Sequence, residues 1–138
     1  MRDVIPSRPS VRLALPLGAL AAVAGAFAYV ATVDPNQPGH YPACPLLTTT
    51  GVYCPGCGGL RGAHALAHGD LTAALQDNIV GVLGLLGFAV LWTVWVVHAA
   101  RGRPLRIDPG PVPLWGAGAF LLVFTVVRNL PFGGWLHP

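Results

Sequence analysis

Three cysteines carry most of the chemistry this sequence can offer. Cys54-Pro55-Gly56-Cys57, followed by Gly58-Gly59, sets two thiols at the C-x-x-C spacing on a turn, and Cys44-Pro45 adds a third thiol upstream. Two sulfurs presented from such a turn resemble the knuckle that offers thiolates to one zinc or iron ion, and a tetrahedral site needs four donors. If the stretch from Leu60 to His68 is helical, Cys57, Arg61, His64 and His68 share one face. His64 is then the better fourth ligand and His68 the next, while Arg61 on the same face opposes a cation. The same atoms suit thiol redox chemistry. A C-x-x-C just before a helix sits near the positive end of the helix dipole, Arg61 one turn on favours the thiolate, and Cys44 can act as resolving thiol. No thioredoxin-like strand pattern surrounds it. The third reading is structural: a disulfide from Cys44 to Cys54 or Cys57 staples a Pro-rich loop and leaves one cysteine buried. Zinc is the cofactor the first reading implies.

The elements that must position these thiols are set by composition. Of 138 residues, 54% are hydrophobic and only 9% charged, far below the quarter or so that keeps a soluble domain solvated. A lipid bilayer is the partner that removes the difficulty. All eight basic residues are Arg and all five acids are Asp, giving a net charge of +3. The Arg residues are too scattered for a nucleic-acid surface. Leu13 to Val33 is an uncharged run of 21 residues, roughly 31 Å of helix, which matches the hydrocarbon core. Pro16 lies in its first turn, and Ala14, Gly18, Ala22 and Ala26 offer a smooth face for close helix packing. Arg2, Arg8 and Arg12 with Ala26-Phe27-Ala28 also resemble a signal peptide and its cleavage site, although the apolar run continues past that point. The second span is Ile79 to Ala100, with Gly81, Gly84 and Gly87 in its first turns and Trp92 and Trp95 suited to an interfacial belt. The third, Pro111 to Val127, is near the lower length limit.

Six of the eight Arg flank one side of these spans: Arg2, Arg8 and Arg12 before the first, and Arg101, Arg103 and Arg106 between the second and third. Arg61 and Arg128 fall on the other. The positive-inside rule then puts the N-terminus in the cytoplasm and residues 34–78, with all three cysteines, outside. Within that loop the Pro- and Gly-rich segment from Asp34 to Gly51 reads as turns. Gly69 interrupts the helical pattern, and Asp70 is placed to cap a helix starting at Leu71. Asp77 and Asn78 at the membrane entrance are placed to pair with Arg128. His40 and His98 read as loop and interfacial residues. No Ser-His-Asp set, phosphate-cradling loop or paired carboxylate site is present, so the sequence leans away from an enzyme.

Cys44-Pro45 with Thr50-Gly51, then Cys54-Pro55-Gly56-Cys57-Gly58, Arg61 and Gly69-Asp70, resembles the core of the domain of unknown function 2752 family, small bacterial membrane proteins with a few spans. The likeness covers about Cys44 to Ile79, and Arg128-Asn129 after the last span also looks family-like. Two positions depart from the pattern. Leu60 stands where the family usually has Thr, removing a hydroxyl. Asn78-Ile79 stands for an Asn-Pro, which implies a helix running unbroken into the membrane. The resemblance brings no activity with it.

The sequence therefore predicts an all-α membrane protein in one domain, residues 1–138. It has spans at about 13–33, 79–100 and 111–127, and a cysteine loop with a short extracytoplasmic helix at 34–78. Its polar residues sit at helix ends and the chain is too small to form a conduction pathway alone. An accessory or scaffolding role through other membrane proteins or further copies of itself is expected, with metal-binding or thiol-redox activity of the knuckle as the competing class. Arg61 is expected to hold the loop, by capping carbonyls of the Cys44 to Cys54 segment or by pairing with Asp70 or Asp77.

Overall fold

The computed structural model describes residues 9–137, and within them the chain is helical. The elements are α1 (Pro9–Thr32), α2 (Pro45–Thr50), α3 (Gly59–Ala67), α4 (Leu71–Ala100) and α5 (Pro111–Arg128), closed by a 3₁₀ turn at Pro131–Leu136. Val11–Thr32, Leu71–Ala100 and Pro111–Arg128 are long and apolar enough to cross a membrane. Arg2 and Arg8, which carry part of the topology and signal-peptide readings, lie outside the described residues.

Helix α1 turns Leu13, Pro16, Ala19, Val23, Phe27 and Val30 inward and packs on α4 and α3. That spacing of three and four residues is an apolar stripe meeting its neighbour. The small-residue face expected to pack, Ala14, Gly18, Ala22 and Ala26, is instead exposed: larger side chains on the opposite stripe make more contact area. Pro16 is not in the first turn, because α1 begins earlier, at Pro9, and carries the proline inside the helix. Its carbonyl receives the indole N–H of Trp92 from α4 at 2.8 Å. Trp92 thus ties α4 to α1. Where α1 begins, the Arg12 guanidinium lies against Gly102, so the N-terminal end of α1 and the Arg-rich connection after α4 share one end of the bundle.

The largest correction concerns α4, which does not run unbroken. Asn78 has φ −163° and ψ 93°, outside the helical region, and its Oδ1 accepts the Gly81 N–H at 2.8 Å. That is the geometry of an N-cap. The chain therefore forms a short capped helix, breaks at Asn78, and starts a new helix into the apolar layer. No proline is required, because the Asn side chain satisfies the new first turn by itself. Upstream, Asp70 caps Leu71 as the sequence implies, accepting the Ala73 N–H at 2.9 Å.

Helix α3 lies on the first part of α4. Gly62 is buried there, and a Cβ on it would meet the Ala74 carbonyl at 3.0 Å; Ala74 itself is fully buried. Small residues on both sides let the two backbones approach. Helix α5 behaves differently. It packs on the 3₁₀ turn, which touches α4, and among the described residues α5 has no close backbone approach to α1 or α4. Its first thirteen residues are exposed, and what ties it to the rest is its last turn.

Candidate metal centre

Cys44 stands at the N-cap of α2, a helical turn within a segment whose Pro and Gly content predicts turns alone. Pro45 at the first helical position is preorganised for a helix start. The hydroxyls of Thr48, Thr49 and Thr50 bond back to the carbonyls of Cys44, Pro45 and Leu46, and Gly51 ends the turn at φ 74°. The knuckle proper follows. The Cys57 N–H bonds the Cys54 carbonyl at 3.1 Å and the Gly59 N–H the Gly56 carbonyl at 3.0 Å. Gly58 at φ 80° leads into α3.

These two elements bring the three sulfurs together. Cys54 Sγ is 3.5 Å from Cys44 Sγ and 3.2 Å from Cys57 Sγ, and all three lie within 4.8 Å of one another. No pair is bonded as a disulfide. The thiols are inequivalent. Interaction with the Leu47 backbone N–H, then with the thiols of Cys57 and Cys54, lowers Cys44 to about 7. Burial, then the neighbouring thiols, pushes Cys57 up to about 12. The cluster lines a cleft of about 380 Å³ whose other walls include Tyr41, Leu47 and Arg61. The loop forming that wall is tied to α1 by the Tyr41 hydroxyl, which donates to the Val33 carbonyl at 2.9 Å.

What holds the knuckle comes from two spans. Asn78 Nδ2 donates to the carbonyls of Pro55 at 2.9 Å and Cys57 at 3.0 Å. Arg128 Nη1 donates to the carbonyls of Cys54 at 3.0 Å and Cys57 at 3.1 Å, and Nη2 to that of Leu136 at 2.9 Å. The Cys57 carbonyl is where α4 and α5 meet. Asn129 adds a pair of bonds to Tyr53, and the His137 ring stacks on Tyr53 with centroids 4.8 Å apart while bonding the Arg128 carbonyl.

Several expected site residues stand elsewhere. His64 is not in the sulfur cluster: its Nδ1 meets the Val30 carbonyl at 2.8 Å and its Nε2 lies 3.9 Å from Asp34 Oδ1. The physical reason is that α3 packs on α1, so the face carrying His64 turns to that helix. His68 follows it, bonding the His64 carbonyl and lying 4.3 Å from its ring. Arg61 caps no carbonyl of the loop; it lines the cleft and acts electrostatically on Asp77. The brace expected of Arg61 is supplied by Arg128. Arg128 in turn does not pair with Asp77. Asn78, read only as a partner for Arg128, instead shares an acceptor with it. Tyr53 and His137 were missed altogether: Tyr53 adjoins Cys54, but its partners Asn129 and His137 lie more than 70 residues away in sequence.

A helical chain of three membrane-length spans, with a three-thiol knuckle pinned by the ends of two of them, defines a small multi-pass membrane protein built around a cysteine site. Residues 44–92 match the model of a family described as a protein of unknown function (DUF2752), which supports placing the chain in that family. The matched segment takes in all three cysteines, α2, α3 and most of α4, and leaves α1 and α5 outside it. No curated protein and no solved structure matches the chain.

Proposed function

We propose that the protein binds a soft or borderline metal ion of the zinc type at Cys44, Cys54 and Cys57, on the outer surface of the cell membrane. The observation that carries this reading is the convergence of three sulfurs, not two, within 4.8 Å. Metal–thiolate bonds of about 2.3 Å put neighbouring sulfurs of a tetrahedral site about 3.8 Å apart. A disulfide would use one pair and leave the third thiol idle. With His64 turned away, the fourth position faces the cleft, the arrangement of three protein ligands and one exchangeable site. The outer location rests on the Arg distribution and on Arg12 lying beside Gly102 at the far end. Labelling intact cells with a membrane-impermeant thiol reagent, after chelation and mild reduction, tests it. Modification only in permeabilised cells would reverse the topology.

Metal analysis of protein purified in detergent tests the site. One equivalent of metal with three reduced thiols is expected, falling when any of the three cysteines becomes Ser. Metal-free protein with an oxidised pair would favour the thiol-redox reading. That reading has one observation of its own, the contrast between a low Cys44 and a high Cys57. Action through other membrane proteins or further copies is a proposal compatible with either chemistry; the exposed length of α5 supports it.

A further inference from the structure

Arg128 is fully buried, and a buried cation is costly unless an opposite charge and hydrogen bonds compensate it. Its hydrogen bonds go to three carbonyl oxygens, its guanidinium lies over the rings of Tyr53 and Phe124 at 5.7 and 5.0 Å, and its Nε has no partner. Dipoles and ring faces soften the cost, but no described carboxylate lies within salt-bridge reach of it. The acids are engaged elsewhere: Asp34 with Asn36 and His64, Asp70 as a helix cap, Asp77 beside Arg61, and Asp108 with Gly110 before α5. Asp3 is outside the described residues. The groups near Arg128 that can carry negative charge are the thiols of Cys57 and Cys54 and the phenol of Tyr53.

We infer that Arg128 is the built-in counter-charge of the cysteine site, and that the site takes a divalent ion on three thiolates. This rests on the metal reading above and adds the charge class. Three thiolates on a divalent ion carry one net negative charge, which one guanidinium neutralises. Three thiolates on a monovalent ion carry two, and three neutral thiols leave the buried cation alone. Neutrality also selects an uncharged fourth ligand, such as water, in the cleft. The guanidinium bonds the carbonyls of two of the ligands, which brings its charge close to their sulfurs.

The test uses the full chain in detergent, zinc chloride as the probe and a competing chelator as the reporter, with R128K and R128Q compared to wild type. Circular dichroism of the metal-free proteins serves as the fold control. Loss of the charge in R128Q should weaken zinc by about ten-fold or more, the usual effect of removing an outer partner of a ligand. R128K, which keeps the charge and loses the fork, should stay within about three-fold. Zinc bound by R128Q as tightly as by wild type would sink the counter-charge while leaving the metal reading intact. R128K as weak as R128Q, both folded, would show that the carbonyl brace is what matters and overturn it as well. Should R128Q fail to fold, R128K alone decides: retained affinity supports the inference, and a ten-fold loss refutes it. If wild type takes up no zinc, the metal reading itself fails and the inference falls with it.

Discussion

The side-chain amide of Asn129 pairs with the backbone of Tyr53, Nδ2 donating to its carbonyl and Oδ1 accepting its N–H, each at 2.8 Å. The amide imitates one rung of a β-ladder and fastens the residue before Cys54 to the end of α5. Nδ2 also donates to the Thr125 carbonyl at 2.8 Å. Asn129→Asp keeps the acceptor but turns a carboxylate oxygen toward two carbonyls. It should cost about 1–3 kcal/mol, at least as much as Asn129→Ala. Thermal unfolding in detergent measures this, and an Asp variant that melts like wild type would contradict the pairing.

The break at Asn78 makes Ile79 the first residue of the membrane half of α4. Proline is favoured at that position and disfavours helical geometry in the residue before it, which Asn78 already avoids. Ile79→Pro should therefore melt within about 1 kcal/mol of Ile79→Ala, the control for lost packing. In a continuous helix the same change costs about 3 kcal/mol. A loss of that size would mean that the break at Asn78 does not persist in solution.

Gly133 lets the 3₁₀ turn close on α5. A Cβ there would collide with the Val127 carbonyl oxygen and meet the Arg128 Cα at 3.0 Å, whereas one on Gly134 meets nothing within 4 Å. Gly133→Ala should destabilise by about 1–3 kcal/mol and speed protease cleavage after Arg128. Gly134→Ala should leave both unchanged. Equal behaviour of the two variants would show that the turn does not seat against α5.

In reduced, metal-stripped protein Cys44 should be the first thiol alkylated by iodoacetamide. Its folded value of about 7 lies below the ordinary thiol value of about 8.5. The sign follows from linkage. A depressed folded pKa contributes stability above the unfolded value, and the contribution is lost as pH falls through about 7. Cys57, raised to about 12, contributes in the opposite sense: fully below the ordinary thiol value, and lost as pH rises toward 12. Peptide mass spectrometry across pH 6–9 should show Cys44 labelling rise around pH 7 with Cys57 protected. Equal labelling of the two at pH 7 would contradict the inequivalence.

The three spans, the cap at Asp70 and the importance of the cysteine segment are legible in the sequence because each is a local signal: a run of apolar residues, a capping residue before a helix, a C-x-x-C on a Pro-Gly turn. What was not legible depends on how distant segments pack. The helical face linking Cys57 to His64 is correct as periodicity, yet α3 lies on α1 and turns His64 to Val30. The choice between Arg61 and Arg128 as brace could not be made from spacing, since it depends on the last turn of α5 returning to the knuckle 71 residues away in sequence. The break in α4 was misjudged because proline was taken as its cause, whereas the Asn side chain alone provides it.

The attachment of α5 by its last turn has a consequence for the order of biosynthesis. Cys54 and Cys57 are translated long before Arg128 and Asn129, yet their carbonyls find the guanidinium only after the third apolar segment has been threaded into the bilayer and its far end has returned to the same surface. A nascent chain halted after its second span holds the three sulfurs on a half-secured loop. Completion of the site thus requires the third long apolar helix, and a chain truncated before it is expected to lack the Arg128 and Asn129 bonds to the knuckle.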